Sequence, residues 1–144
     1  MTVKTIAIAA DHGGVELKSA IISALKDRGI EVFDFGTNGS ESVDYPDYAQ
    51  AVAKSIIDGQ SEAGILVCGS GIGMSIAANR FPEVRAALAH DRLSAELCRQ
   101  HNNANVLCLG ARIVGDAKAL DCVDAFISTE FEGGRHALRV AKMS

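Results

Sequence analysis

The sequence predicts an α/β protein, a Rossmann-like three-layer α/β/α sandwich around a five-stranded parallel sheet. One pattern in the sequence carries this prediction. Short apolar segments, several of them rich in β-branched residues, alternate with longer segments whose apolar residues recur at helical spacing. Strands that alternate with helices along a chain are typical of a parallel sheet covered by helices on both faces. Residues 1–144 are expected to form one domain, because no linker, repeat or low-complexity stretch divides them.

Five strands and six helices are expected. The strands are short apolar runs, predicted at residues 3–9, 31–35, 64–68, 85–89 and 105–109. The helices are predicted at residues 15–28, 47–58, 73–80, 92–101, 115–128 and 134–142. The first helix shows the pattern most clearly, with Leu17, Ile21 and Leu25 on one face and Gly29 suited to end it. Ligands of such sheets lie beyond the carboxyl ends of the strands, so the loops there are the places to search for a site.

Composition argues against several classes of function. A net charge of −4 disfavours binding to nucleic acid or to an anionic membrane surface. No apolar run reaches the length of a membrane-spanning helix. The four cysteines form no C-x-x-C pair and the four histidines are scattered, so no metal and no cofactor are expected. The beginning of the chain shows no signal-peptide pattern, and a cytoplasmic protein with reduced thiols is expected.

The strongest candidate site is the segment Cys68-Gly69-Ser70-Gly71-Ile72-Gly73, between the third strand and the third helix. Alternating glycines let the backbone approach a ligand closely, and free N–H groups at a helix start favour a phosphate or a developing oxyanion. A cysteine beside a helix start can also have a lowered pKa. One alternative to a binding site is that the loop is only a tight strand-to-helix turn and that Cys68 is a residue of the hydrophobic core. Another is dinucleotide binding, although G-x-G-x-G after the third strand differs from G-x-G-x-x-G after the first.

Three further groups of side chains are candidates. Asp11 and His12 end the first strand and can hold sugar hydroxyls or move protons, although such a pair is common in loops. His101 lies where a helix is predicted to end. It can act as an acid or base, or it can simply cap the helix. The last group is basic and consists of Arg112, Arg135 and Arg139. Arginine binds phosphate oxygens well, although exposed arginines are usually only solvated.

Six segments carry a resemblance to a known family. They are Ala-Ala-Asp-His-Gly-Gly (9–14), Asp-Tyr-Pro-Asp-Tyr (44–48), Cys-Gly-Ser-Gly-Ile-Gly-Met-Ser-Ile-Ala-Ala-Asn-Arg (68–80), Arg-Gln-His-Asn-Asn-Ala-Asn-Val-Leu (99–107), Gly-Ala-Arg (110–112) and Phe-Glu-Gly-Gly-Arg-His (131–136). In this order they resemble the ribose-5-phosphate isomerase B family, which includes allose-6-phosphate and galactose-6-phosphate isomerases. The resemblance covers essentially the whole chain.

The resemblance implies an aldose–ketose isomerase of the pentose phosphate pathway that interconverts ribose 5-phosphate and ribulose 5-phosphate through an enediolate. It implies that Cys68 is the base, that His101 assists ring opening, and that the enediolate is held by Ser70 and by the backbone of Gly69, Gly71, Ile72 and Gly73. The sugar or its phosphate would be contacted by Asp11, His12, Tyr45 and Asn102, and the phosphate would be bound by Arg112, Arg135 and Arg139. Some members of the family carry glycine at the cysteine position and a glutamate six residues later; Met74 stands there in this chain, which resembles the cysteine type.

The same resemblance implies the partners. Family members are dimers or tetramers with sites at the subunit interface, so a homodimer or homotetramer is expected, in which Asn102 and the arginines meet Cys68 of the other subunit. The ligand is a small sugar phosphate and no cofactor is implied. An isomerase of a hexose 6-phosphate or a tetrose 4-phosphate remains an alternative, as does a non-catalytic phosphosugar- or nucleotide-binding module in which Cys68 is inert.

Overall fold

Five parallel strands and six helices lie within residues 3–143, the part of the chain that this computed structural model describes. The strands are β1 (Thr5–Ala10), β2 (Glu31–Asp34), β3 (Ala63–Cys68), β4 (Ala86–Leu88) and β5 (Val106–Gly110). The helices are α1 (Val15–Asp27), α2 (Tyr45–Ile57), α3 (Ile72–Ala78), α4 (Arg92–Gln100), α5 (Asp116–Ser128) and α6 (Arg135–Ala141). None of the helices in this part of the chain has the length and apolar content that crossing a membrane requires.

The sheet has the order β2-β1-β3-β5-β4, and every pair of neighbours is parallel. The chain runs from β1 outward to β2 on one side and then to β3 on the other side, so the order reverses between β1 and β3. Ala10 pairs with Val67 and Cys68 pairs with Gly110, which aligns the carboxyl ends of β1, β3 and β5. This reversal point is where ligands bind in open parallel sheets.

Apolar layers cover both faces of the sheet because successive strand residues point to opposite sides. Ile6 and Ile8 of β1 belong to the core beneath α1, α4 and α5, whereas Ala7 and Ala9 belong to the core beneath α2 and α3. Phe126 of α5 is fully buried in the first of these layers. Burying one such large side chain stabilises a fold by about 1.5–3 kcal/mol. The predicted α/β/α sandwich with a five-stranded parallel sheet is confirmed.

Element boundaries differ from the prediction by at most two residues, apart from a turn of 3₁₀ helix at His12–Gly14 that the sequence did not predict. Asp11 caps this turn, and its Oδ1 accepts a hydrogen bond of 2.9 Å from the N–H of Gly13. The predicted loop 36–46 ends early, because α2 begins at Tyr45 with Pro46 in its first turn, where a missing N–H costs nothing. This start places Tyr45 on a helix rather than in a loop.

Candidate active site

A cleft of about 580 Å³ lies at the carboxyl ends of β1, β3 and β5. Most of the residues predicted for the site come together here. The residues that line the cleft are Asp11, Tyr45, Cys68, Gly69, Ser70, Ile72, Gly73, Ile76, Arg112 and Ile113. The sequence analysis missed Ile76 and Ile113, which are apolar yet 60% and 54% exposed. No sequence signal distinguishes them from core residues, because isoleucine is usually buried.

Cys68 is the last residue of β3 and forms the floor of the cleft. Its side chain is 5% exposed and lies among core residues of the α2–α3 side of the sheet. The N–H of Gly71 donates a hydrogen bond of 3.1 Å to its Sγ. The bond fixes the direction of the sulfur, so the thiol faces the loop that follows it.

The loop after Cys68 is folded tightly, and Gly71 is the residue that permits this. Its φ is +76°, a left-handed conformation that disfavours a β-carbon. A β-carbon built there would also lie 2.6 Å from Leu88 Cδ1 and 2.9 Å from the carbonyl carbon of Leu109. Glycine is therefore required at this position, as the alternating pattern predicted.

The same loop leaves hydrogen-bond donors free beside the thiol. The N–H of Ile72 donates to Ser70 Oγ over 3.2 Å. The N–H groups of Ser70 and Gly73 have no hydrogen-bond acceptor anywhere in residues 3–143. Two free backbone donors next to one thiol can stabilise an oxyanion that forms above the loop.

Arg112 brings a positive charge to the same loop. Its backbone N–H donates to the carbonyl of Gly69 over 2.9 Å, which holds the residue against the turn. Its guanidinium lies over that glycine, since a β-carbon built on Gly69 would be 3.4 Å from Nε and 3.5 Å from Cζ. In the described part of the chain no carboxylate pairs with this guanidinium. It is free to bind an anion.

Tyr45 and Asp11 close two sides of the cleft. The phenol of Tyr45 lies on the backbone of Gly73, where a β-carbon would be only 2.6 Å from Cε1 and 3.0 Å from the hydroxyl oxygen. The glycine thus permits the close approach of the ring. Asp11 uses one carboxylate oxygen as the cap of the 3₁₀ turn. Its other oxygen accepts no hydrogen bond within the described residues.

His12 lines a neighbouring cleft of about 350 Å³ rather than the one around Cys68. Its companions there are Gly13, Val15, Glu16, Asn38, Gly39 and Ser40. The Nδ1 atom of His12 accepts a hydrogen bond of 3.3 Å from the N–H of Val43. The role predicted for His12 in substrate binding stays a prediction.

Besides His12, four predicted side chains lie outside the cleft of Cys68 as the described chain forms it. Arg135 and Arg139 are exposed on α6, and Asn102 lines a separate cleft of about 380 Å³ that also includes Arg85. His101 follows the last residue of α4. The expectation that Asn102, Arg135 and Arg139 meet Cys68 of another subunit stays a prediction. Arg112, which was expected to come from the other subunit as well, instead lines the cleft of its own chain.

The ring of His101 stacks on the ring of His136, with centroids 4.3 Å apart and planes inclined by 13°. His136 Nε2 lies 3.6 Å from Glu132 Oε1. Burial lowers the pKa of His136, and the positive charges of His101 and Arg135 lower it further. The sequence analysis missed His136, because only the tertiary structure brings it to His101.

Ligand atoms of His101, Glu132 and His136 lie within 4.8 Å of one another, which is a possible metal-ligand set. The sequence predicts no metal and carries no signal for this group. Imidazole binds a metal in the plane of its ring. Two stacked, nearly parallel rings share no such in-plane point, so one ring would have to turn before both could bind one ion. The group is therefore not organised for a metal.

Arg99 is buried and fixes the segment that carries His101. Its Nη1 donates to the carbonyl of Ala104 over 2.6 Å and to Asn103 Oδ1 over 3.0 Å. Its Nε donates to the carbonyl of Thr129 over 3.2 Å. One side chain thus joins the end of α4 to the segment that leads into α6.

Fold and cleft together define a class: an open α/β protein that binds its ligand where the strand order of a parallel sheet reverses, with a thiol, free backbone donors and an arginine around the ligand. Within that class, the family model described as ribose/galactose isomerase matches residues 6–143. The chain belongs to the ribose/galactose isomerase family. The predicted resemblance and the predicted isomerase class are confirmed.

Individual relatives agree with this assignment. Ribose-5-phosphate isomerase B of Escherichia coli (strain K12) is 49% identical over 137 residues, which cover 95% of this chain and 92% of that protein. A Rickettsia conorii protein, whose name specifies a sugar phosphate isomerase without naming the sugar, is 48% identical over 143 residues, 99% of each chain.

Solved structures give the same result. Ribose-5-phosphate isomerase B of Clostridium thermocellum has a TM-score of 0.95 at 52% identity, covering 96% of this chain and 94% of that chain. The enzyme of Mycoplasma genitalium with bound ribulose-5-phosphate has a TM-score of 0.93 at 44% identity, covering 96% and 93%.

Proposed function

We propose that the chain interconverts D-ribose 5-phosphate and D-ribulose 5-phosphate, a step of the pentose phosphate pathway, with Cys68 as the base. One observation carries the proposal: the Cys68 thiol lies beside the free N–H groups of Ser70 and Gly73, and Arg112 lies over the same loop. The relative from Mycoplasma genitalium with bound ribulose-5-phosphate supports the choice of sugar.

The chemistry needs one base that serves two adjacent carbons. The Cys68 thiolate takes the proton from C2 of the open-chain aldose, and the electron pair of the broken C–H bond forms the C1=C2 bond of the enediolate. The negative charge that develops on oxygen is stabilised by the N–H groups of Ser70 and Gly73. The thiol then returns its proton to C1, while the proton of the C2 hydroxyl passes to the oxygen on C1. The isomerisation has no net oxidation or reduction, so the steps balance without a cofactor.

The phosphate is the second requirement, because binding it far from the reacting carbons can hold those carbons over the thiol. Arg112 supplies one cation in the cleft. The other expected phosphate ligands are Arg135 and Arg139, and His12 is expected to contact the sugar or its phosphate.

We propose that the complete site forms between two copies of the chain, in a homodimer or homotetramer. Ile72, Ile76 and Ile113 are half-exposed or more at the rim of the cleft, and a second copy would cover them. That copy would supply His101, Asn102, Arg135 and Arg139. All four thiols are free, which supports work in the reducing cytoplasm.

Cys68→Ala tests the base. We expect kcat for ribose 5-phosphate to fall by about 10²–10⁴-fold, the usual contribution of a general base, while substrate still binds. Cys98→Ala is the matched control, since Cys98 is a buried thiol of α4 and lies outside the cleft. A near-normal kcat for Cys68→Ala would show that another group is the base.

Mixing two inactive variants tests the shared site. Dimers that combine Cys68→Ala with Arg135→Ala/Arg139→Ala would hold one site with both defects and one site with neither. We expect activity to return on mixing and refolding. If mixed dimers form, as seen by mass spectrometry of the intact assembly, and stay inactive, each site belongs to one chain.

A panel of substrates separates the proposed reaction from its alternatives. We expect the highest kcat/KM for ribose 5-phosphate among ribose 5-phosphate, allose 6-phosphate, galactose 6-phosphate and erythrose 4-phosphate. A higher value for a hexose or tetrose phosphate would reassign the substrate. Binding of a sugar phosphate without turnover of any would favour a non-catalytic module.

A further inference from the structure

Lys18 of α1 is fully buried, and the proposed reaction does not use it. Its ammonium donates to Asp34 Oδ1 over 2.7 Å, to Asp34 Oδ2 over 2.9 Å and to Asn38 Oδ1 over 2.6 Å. Burying a charged group is costly unless it is paired and hydrogen-bonded. These bonds meet that requirement, and they also tie α1 to the loop between β2 and α2.

Among the described residues, the hydrogen bonds of this loop lie towards its two ends. At its start, Thr37 N–H donates to the carbonyl of Ala10 over 2.7 Å, and Gly36 N–H donates to Asp34 Oδ1 over 2.9 Å. Asn38 is held by Lys18 alone among the described residues. Residues 39–42 are exposed and form no hydrogen bond with any described residue.

The next hydrogen bond of the loop along the chain is the one with His12. The N–H of Val43 donates to its Nδ1. In the neutral imidazole the proton must then be on Nε2, which becomes a hydrogen-bond donor. A donor of this kind, in a cleft shared with Asn38, suits an oxygen of the substrate phosphate.

We propose that Lys18 is a positioning residue for His12. By holding Asn38 it holds the loop in the conformation that keeps the N–H of Val43 on His12 Nδ1, and this contact selects the tautomer that donates to the substrate. The activity tests of this inference rest on the proposed function, according to which His12 binds the sugar phosphate.

Lys18→Met is the first test. Methionine keeps most of the length and apolar volume of the lysine stem but cannot donate, and Asp34, with its side chain 33% exposed, keeps access to water. We expect KM for ribose 5-phosphate to rise by about tenfold, the loss expected when a hydrogen bond to a charged group is impaired, with kcat little changed. Lys26→Met, on the exposed side of the same helix, is the control and should leave both constants unchanged.

A double-variant cycle separates this role from a structural one. If Lys18 acts through His12, Lys18→Met should raise KM no further in a His12→Ala background. The same tenfold rise in both backgrounds would overturn the proposal. If His12→Ala alone left KM unchanged, the proposed role of His12 would fail instead, and the two failures can be told apart.

The tautomer itself gives a readout that needs no substrate. Long-range ¹H–¹⁵N NMR spectra of the imidazoles should show His12 protonated on Nε2 in the wild-type chain and in Lys26→Met, and a mixture of tautomers in Lys18→Met. Asn38→Ala breaks the same link from an exposed loop position, so it serves if Lys18→Met does not fold. A wild-type His12 spectrum in Lys18→Met or, failing its folding, in Asn38→Ala would overturn the proposal whatever the activity.

Discussion

His101 and His136 lie face to face, with ring centroids 4.3 Å apart, although β5 and α5 separate them in the chain. The backbone supports the pair, because the N–H of Glu132 donates to the carbonyl of Gln100 over 3.1 Å. Two stacked imidazolium ions would repel each other, and the lowered pKa of His136 keeps that ring neutral at neutral pH. One face of the His101 ring is thus covered by a partner whose neutral form is favoured.

His101→Asn should separate ring opening from proton transfer. Ribose 5-phosphate is mostly a closed ring, whereas ribulose 5-phosphate cannot form a furanose because its O5 carries the phosphate. We expect net conversion of ribose 5-phosphate to fall by about 10²-fold. Exchange of the C1 hydrogen of ribulose 5-phosphate with D₂O, followed by NMR, should stay near the wild-type rate. Cys68→Ala should lose both activities, and a parallel loss of both in His101→Asn would assign His101 to the proton transfer itself.

Alkylation should distinguish Cys68 from the other thiols. Burial raises the pKa of Cys98 to about 11, raises that of Cys108 still further and also raises that of Cys122. A raised pKa means that the reactive thiolate forms only at higher pH, so iodoacetamide at about pH 8 should spare these three. We expect peptide mass spectrometry to find Cys68 modified first, in step with the loss of activity, and ribulose 5-phosphate to slow the reaction. Modification of Cys98 or Cys122 before Cys68 would contradict this account.

Gly71→Ala should destabilise the fold far more than Gly59→Ala. Both glycines have a left-handed φ, +76° and +78°, but a β-carbon at Gly59 would meet nothing within 4 Å. Gly59→Ala should therefore cost only the conformational penalty of about 1–2 kcal/mol. Gly71→Ala adds close contacts with Leu88 and Leu109, for a total of about 2–5 kcal/mol. Urea denaturation measures both free energies of unfolding, and equal losses would show that the loop can relax around a β-carbon.

Asp124 of α5 should contribute stability that disappears in acid. Hydrogen bonds from Arg28 and Arg92 lower the pKa of its carboxyl group. A carboxyl group whose pKa is lower in the folded state stabilises the protein above its unfolded pKa of about 3.9, and this contribution is lost as pH falls through the folded pKa. Asp124→Asn should lower the free energy of unfolding at neutral pH by about 1 kcal/mol, the scale of exposed ion pairs.

The difference between wild type and Asp124→Asn should shrink as the pH falls through the pKa of the folded carboxyl group, because that group then becomes protonated in the folded chain as well. Glu41→Gln is the control, because Glu41 is exposed and forms no ion pair with any described residue. A constant difference between the two variants at all pH values would show that Asp124 acts through packing rather than charge.

The fold was predictable because it depends on local patterns. Helical spacing such as that of Leu17, Ile21 and Leu25 records burial against the sheet, and those residues are buried. The loop after β3 was predictable because only glycine fits at Gly71. Both signals are contained in a short stretch of sequence.

The rest of the candidate site depends on distant contacts. The stack of His101 on His136 and the bond between Lys18 and Asn38 join side chains whose sequence separation carries no periodic signal. The start of α2 at Tyr45 was missed because the polar residues before it are typical of a loop. The proposed grouping of Asn102, Arg135 and Arg139 with Cys68 would need a second copy of the chain, which a single sequence cannot place.

The bonds of Arg99 tie the end of α4 to Thr129, at the beginning of the segment before α6. Under the proposed roles, the group that opens the sugar ring follows α4, and two of the arginines that hold the phosphate lie on α6. The spacing between these groups would then have to match the length of the substrate. A change of substrate from a pentose phosphate to a hexose phosphate would not come from a change in this spacing. It would come from the way two copies dock, or from the loop around Asn38, where selection can act without disturbing the buried arginine.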